Sequence, residues 1–349
     1  MPRMLAICRK LAVMAVSTFV LLALAELAAR VSEPGAFRWY DISPYKEVEN
    51  LPHVHRPRAQ VQWDGTFYGI NRQGWRGPEF EPTFAEDELR IVAIGDSTTF
   101  GKGVEEAECW PRQLERVLQE KLGPSRNVHV VNLGVNGYAS RDYLEVLRTQ
   151  ALELRPHAVV IGFCLNDFPN VLAKVDKVVY QNKQNLRSKF SWEMKAQLSK
   201  LALFRWARAT YYEVNRERDL QQVEEIARSV AAAQGENIDA LGGERERMTE
   251  IVRLCRDANA SLVTFLFPYE SQVYLDTPIE GPSQALGELS RSLGVKYLDI
   301  SAEFRATAQA TEPPTKLFTR GDRYHPNGRG YAIVARRVSE VLVDLGLGK

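Results

Sequence analysis

From Leu89 onward the sequence alternates short, nearly uninterrupted apolar runs with longer stretches whose apolar residues recur every three or four positions. The runs cover residues 91–94, 128–133, 158–165, 261–267 and 295–300. Amphipathic helical stretches lie between them at 114–122, 143–154, 248–258 and 331–345. A strand that stays apolar on both sides must be covered on both faces, and intervening helices are what cover it. The pattern therefore predicts an α/β/α arrangement on a parallel sheet. At 349 residues the chain exceeds an average domain but fits one large α/β domain with insertions.

Composition narrows the partners. With 45 Lys+Arg against 44 Asp+Glu there is no electrostatic reason to expect nucleic acid. Hydrophobic residues make up 45%, which excludes a disordered, collagen-like or coiled-coil chain. Cys8, Cys109, Cys164 and Cys255 are too few for a disulfide scaffold and contain no C-x-x-C pair, which argues against a zinc knuckle. With Cys8 set apart in the N-terminal segment, at most one intrachain disulfide can form among the other three.

Arg3, Arg9 and Lys10 precede an apolar run, 11–25, that Glu26 interrupts before Leu27, Ala28 and Ala29 lead to Arg30. A basic start before such a run directs export with the positive end kept inside. Two readings follow: a signal peptide cleaved near Ala23-Leu24-Ala25, giving a secreted protein, or an uncleaved anchor from Leu11 to Ala29. The segment is long for a signal core and close to the ~20 residues a bilayer needs, which favours residues 1–30 as a transmembrane signal anchor. The remainder is then expected outside the cytoplasm, in the periplasm on a single-pass inner-membrane anchor. No Cys follows the run to make a lipoprotein.

Residues 31–88 read as a juxtamembrane linker ending in a structured, glycine-punctuated lead-in at 68–78, and 89–349 as the folded domain. A charged, mostly helical insertion, about 170–243, breaks the alternation. Within it Phe190, Met194, Leu198, Leu201 and Phe204 share a helix face. Seven lysines and arginines from Lys183 to Arg208 face only Glu193, which suits either a solvated surface or contact with anionic headgroups or an acidic glycan.

Open α/β sheets bind ligands beyond the carboxyl ends of their strands. The first run ends in Gly95-Asp96-Ser97-Thr98, the second in Asn132-Leu133-Gly134-Val135-Asn136-Gly137, and the third in Leu165-Asn166-Asp167. Asp322-Arg323-Tyr324-His325-Pro326-Asn327 follows the last. A hydroxyl, glycines, an amide and an Asp–His pair thus converge on one edge, as a nucleophile, oxyanion donors and a base with its orienter would.

These ordered blocks resemble the SGNH/GDSL hydrolase family, over roughly residues 89–348 apart from the insertion. The lead-in at 71–78 also resembles one found in membrane-anchored bacterial relatives. The resemblance implies a flavodoxin-like three-layer α/β/α sandwich and an esterase or acyl hydrolase needing no cofactor and no metal. It implies Ser97 as nucleophile, His325 as base and Asp322 as its orienter. The oxyanion hole would be formed by the Ser97 and Gly137 N–H groups and the Asn166 amide. Asp96 and Asp167 are expected to tie strand-end loops together, while Asn132, Gly134 and Asn136 shape the second loop. The third block usually reads Gly-x-Asn-Asp, and Cys164 stands here in the glycine's place.

The other histidines, His53, His55, His129 and His157, lack a carboxylate three residues earlier, and His53-Val54-His55 lacks acidic or Cys neighbours to complete a metal site. The Gly95–Gly103 stretch only glances at a phosphate loop. Five residues separate its glycines instead of four, and Gly103 stands where a hydroxyl is required. The expected reaction is hydrolysis of O-acyl esters on a carbohydrate, a lipid or a small molecule. Two alternatives stand beside it: transfer of acetyl groups onto or off envelope polysaccharide, with the insertion as a lid, and a non-catalytic glycan-binding module.

Overall fold

A computed structural model describes residues 2–32, 44–63, 66–167, 198, 201–215, 218, 243–274, 281–311, 314–320 and 322–347. Its centre is a five-stranded sheet of β1 (Glu88–Gly95), β2 (Asn127–Asn132), β3 (Ala158–Phe163), β4 (Ser261–Leu266) and β5 (Lys296–Leu298). All pairings are parallel, in the order β2-β1-β3-β4-β5. The apolar runs became these strands because β1 and β3 are buried at every position. The order reverses direction at β1, which places the ends of β1 and β3 at the crevice where such sheets bind ligands.

Alternation along β1 builds two cores. Ile91 and Ala93 point to one side, against Trp110 and Leu114 of a helix at Trp110–Leu122 and Val334 and Val338 of one at Gly328–Asp344. Val92 and Ile94 point to the other, against Tyr143 (helix Ser140–Val146), Met248 and Ile251 (Glu244–Asp257) and Leu286 (Gly281–Ser292). Each fully buried side chain of this kind contributes about 1.5–3 kcal/mol. Three layers result, as the alternation predicts.

Elements differ from expectation where apolar periodicity is weak. The stretch 143–154 is a helix only to Val146, then a π-turn and a 3-10 turn that end at Arg155, whose φ is +44°. Helices Gly281–Ser292 and Ser301–Gln309 lack a long apolar stripe to announce them; the second buries only Ser301, Phe304 and Ala308. Ahead of β1, where no regular structure is expected, Gln60–Trp63 pairs antiparallel with Thr66–Gly69. Val61, Tyr68 and Ile70 of this region pack with Phe100 of the domain.

Helix α1 (Pro2–Val31) runs about 45 Å at 1.5 Å per residue. Its segment Ala6–Val31 is long and apolar enough to cross a membrane. Of the expected insertion, the described part is chiefly α2 (Ala202–Val214), which packs against the last turns of α1. Phe190, Met194 and the basic residues from Lys183 to Lys200 lie outside the described residues. None of the four cysteines is bridged: Cys109, Cys164 and Cys255 are buried and free, and Cys8 is exposed on α1.

Candidate active site

Ser97 opens a single helical turn, Ser97–Phe100, directly after β1. Asp96 caps that turn, its Oδ1 accepting from the Thr98 N–H at 2.8 Å and the Thr98 hydroxyl at 2.8 Å. Ser97 is left partly exposed, with its hydroxyl 2.8 Å from His325 Nε2. Behind the ring, His325 Nδ1 lies 2.7 Å from Asp322 Oδ2. The Asp322 Oδ1 atom accepts from the N–H groups of Tyr324 and His325 at 2.8 and 3.2 Å, so the i, i+3 spacing folds as a tight carboxylate-centred turn.

Burial alone would raise the Asp322 carboxyl. The neighbouring imidazole, the Tyr324 N–H and the charge of Lys102 outweigh it and hold the group well below the usual carboxylate range. An ionised Asp322 fixes the proton on Nδ1, which leaves Nε2 as an acceptor for the Ser97 proton. Asn327 caps the following helix, accepting from the Arg329 and Gly330 N–H groups at 3.0 and 3.1 Å, and anchors the histidine's loop.

The second loop presses on the nucleophile's turn by backbone contact. A Cβ on Gly134 would lie 2.3 Å from Phe100 N, so only glycine fits there. Asn132 holds the same junction, donating to Thr99 O at 3.0 Å and accepting from Gly134 N at 2.9 Å. Gly137 is different: its φ is +82°, and a Cβ there would meet nothing within 4 Å. Its glycine answers to a left-handed backbone rather than to crowding. Asn136 donates to the Tyr45 hydroxyl at 2.9 Å, which ties this loop to the segment ahead of β1.

Leu165–Asp167 forms a 3-10 turn beyond β3; the expectation for the Asn166 amide lies outside the described residues. Cys164 fills the glycine position with a buried thiol 3.1 Å from the Thr98 hydroxyl and 3.4 Å from Asp96 Oδ1. Burial and the carboxylates of Asp96 and Asp167 push that thiol well above its ordinary value, so it stays protonated and unreactive. Asp167 accepts from Cys164 N at 2.8 Å and from the Tyr143 hydroxyl at 3.1 Å. Both aspartates tie the strand ends together.

His53 and His55 sit in aromatic packing. His53 Nε2 lies 3.0 Å from the Asn136 carbonyl, and the His55 ring stacks on Tyr45 at 5.5 Å. Burial drives His55 down to about 3. Among the described residues no group of three His, Cys, Asp or Glu side chains is placed to hold a metal. A cavity of about 630 Å³ opens beside the histidine's loop, lined by Asp322 and charged side chains but by neither Ser97 nor His325.

Arg76 is the residue that sequence reasoning did not single out. It is 2% exposed, and its guanidinium donates to the carbonyls of Phe100 (2.8 Å), Gly101 (2.6 Å) and Val104 (2.7 Å). It lies beside the stacked rings of Tyr68 and Phe100, 4.6 and 5.0 Å from their centroids. One side chain from the lead-in therefore clamps the exit of the Ser97 turn. The Arg76→Met variant removes the charged donor from three buried carbonyls, of which Phe100 O and Gly101 O keep only long contacts to Asn132 Nδ2 (3.5 Å) and Val104 N (3.4 Å). The cost is about 1–3 kcal/mol for each carbonyl left short, before relaxation. We expect turnover to fall roughly 10–100-fold through misplacement of Ser97 with KM little changed, and Arg76→Lys, which lacks the fork, to recover only part. Steady-state kinetics with urea unfolding checks this.

The profile of the GDSL-like lipase/acylhydrolase family matches residues 93–333. The chain belongs to that family. It is an ester-hydrolysing enzyme of the GDSL-like type, built on a parallel α/β fold. A search of curated proteins returned no match. Similar solved structures include the acetyl xylan esterase AlAXEase, with 14% identity over 73% of this chain and 100% of that chain and a TM-score of 0.44. LAE5, an alpha/beta hydrolase from the metagenome of Lake Arreo, Spain, shares 15% identity over 77% and 98% of the two chains at a TM-score of 0.45. The lipase/acylhydrolase from Enterococcus faecalis shares 14% over 73% and 95% at 0.42. Likenesses at this distance assign no substrate to the GDSL-like chain.

Proposed function

We propose that this GDSL-like enzyme is a membrane-anchored serine esterase that cleaves O-acyl esters of an extracytoplasmic carbohydrate or lipid through an acyl-enzyme on Ser97. The observation that carries the reading is the line of contacts from Ser97 Oγ to His325 Nε2 (2.8 Å) and from His325 Nδ1 to Asp322 (2.7 Å). A serine hydroxyl attacks poorly until a base takes its proton, and this arrangement supplies the base already aimed.

In the first half-reaction the Ser97 oxygen bonds to the acyl carbon while its proton passes to His325 Nε2. Asp322 stabilises the resulting imidazolium. The negative charge on the former carbonyl oxygen is met by the N–H groups of Ser97 and Gly137 and by the Asn166 amide, each donor of this kind being worth about 10²–10³ in turnover. Collapse breaks the bond to the alcohol, which leaves with the proton from His325. Water then gives a proton to the same nitrogen and attacks the acyl carbon, and release of the acid restores Ser97.

The anchored form is favoured by Glu26. Its carboxylate accepts from the Ala202 and Leu203 N–H groups at 3.0 and 2.9 Å, so α1 takes part in the fold of the exported domain. Cleavage after Ala25 would keep Glu26 but strip away the helical turns that precede it, leaving its carboxylate on a new chain terminus instead of within a continuous helix.

The test is labelling with a fluorescent alkyl phosphonate. Wild type should take up one label per chain, mapped to Ser97 by peptide mass analysis, and Ser97→Ala should take up none. Label elsewhere, or none in an enzyme that turns over ester, would refute the assignment.

A further inference from the structure

Among the described residues, helix α1 is covered by protein only at its end. Ala25, Glu26, Ala29 and Arg30 are half-buried, whereas the apolar stretch before them is exposed. Beyond the charged pair Arg9 and Lys10, the apolar run covers 11–25 and stops at Glu26, so the first acidic residue after the run marks the outer end of the span. Glu26 and Arg30, paired at 2.7 Å, then stand at headgroup level.

Helix α2 starts at that same level. Glu26 caps its first turn through the Ala202 and Leu203 N–H groups. An acidic group at a helix N-terminus satisfies free N–H donors and complements the helix dipole. From there α2 exposes Trp206, Ala207, Tyr211 and Val214, with Trp206 at 55%, Tyr211 at 49% and Val214 at 77%. At 100° per residue these four fall within about 140° of arc, and none carries a charge. Such a face is costly against water, and its Trp and Tyr are the side chains suited to a boundary with one wet and one apolar side. Thr210 falls within the same arc, and its hydroxyl accepts from Arg320 Nη2 at 3.2 Å. Arg320 belongs to the loop that continues to Asp322 and His325.

We propose that α2 is an interfacial helix. Its Trp206–Val214 face lies in the headgroup layer of the bilayer that α1 crosses, and through Thr210 it holds the loop bearing Asp322 and His325 beside that surface. The partner is a lipid surface because α2 starts on Glu26, where the apolar run of α1 ends, and its exposed residues Trp206, Ala207, Tyr211 and Val214 are uncharged. The enzyme would thereby be placed for acyl esters presented at the membrane rather than free in solution. This rests on the anchored reading above.

The test uses the full chain in vesicles of phosphatidylcholine and phosphatidylglycerol, with and without phosphatidylcholine brominated near the headgroup end of its acyl chains. The difference in emission between wild type and Trp206→Phe isolates Trp206. Bromine should quench that component roughly twofold or more, as for a ring lying within the interface. Quenching near zero in protein that floats with the vesicles overturns the interfacial helix while leaving the anchor intact. Protein that fails to float overturns the anchor, and the interfacial helix with it. An unquenched Trp206 in a chain that cross-links to a second copy through Tyr211→Cys assigns the face to a dimer instead, and also overturns the proposal. As a functional readout, Trp206→Glu should lower turnover of a vesicle-embedded ester roughly fivefold and leave a short, water-soluble ester within about twofold. Equal losses on both substrates would count against a membrane role.

Discussion

Ser97→Ala should remove hydrolysis of short acyl esters by about 10⁵-fold or more while the protein still folds. The variant deletes the atom that would form the acyl-enzyme and nothing that supports the turn around it. Asp96 still caps Thr98, and Asn132 still holds Thr99. Ser97 is partly exposed, and its hydroxyl makes a 2.8 Å contact to His325 Nε2 and a weak 3.4 Å contact to Asp96 Oδ2, together worth about 1 kcal/mol in stability. Thermal unfolding should therefore shift by only a few degrees. Turnover within tenfold of wild type would sink the assignment, and a collapsed melting curve would show that the loss came from unfolding.

His325→Ala should cost nearly as much, and the double variant with Ser97→Ala should be no worse than either alone. The two side chains act as one unit, since an unactivated hydroxyl and an imidazole without a hydroxyl are both idle, so their losses do not add. Asp322→Asn should cost less, about 10⁴-fold, because the imidazole remains but its ring is no longer held in the productive tautomer. The Asp322 carboxyl is held well below its ordinary value. A group depressed in the folded state contributes stability that is present above its unfolded pKa, about 3.9, and is lost as pH falls through the lower folded value. Asp322 therefore stays anionic through mild acid, and the stability gap between wild type and Asp322→Asn should shrink only below about pH 4. Urea titrations at pH 7, 5 and 3 measure it.

The sheet was legible because its central strands, β1 and β3, are buried at every position and carry near-continuous apolar runs. Ile91 to Ile94 serve two cores by alternation alone. The candidate site was legible because three of its blocks follow β1, β2 and β3 and parallel order carries those strand ends to one rim, while the Asp322–His325 block announces itself by its i, i+3 spacing. What stayed hidden depends on contacts across the fold. Arg76 lies 24 residues from its first carbonyl partner, and no spacing in the lead-in announces that clamp. The strands at Gln60–Trp63 and Thr66–Gly69 are too short for periodicity to register. Glu26 reads in sequence as an interruption of an apolar run; its role as a cap exists only once Ala202, 176 residues away, is beside it. The reason for glycine at 137 also changed, from making room to permitting a positive φ.

The cysteines carry a consequence for where this chain can live. Three thiols are sealed singly inside the folded domain, and Cys255 is pushed up to about 12 by burial alone. An oxidising compartment finds there no reachable sulfur to cross-link or scramble. The exposed one, Cys8, sits beside Arg9 and Lys10, at the end of α1 that the proposed topology leaves in reducing surroundings. Sulfur chemistry is thus partitioned along the chain in the same sense as charge, and maturation outside the cytoplasm would require no thiol oxidase or disulfide isomerase.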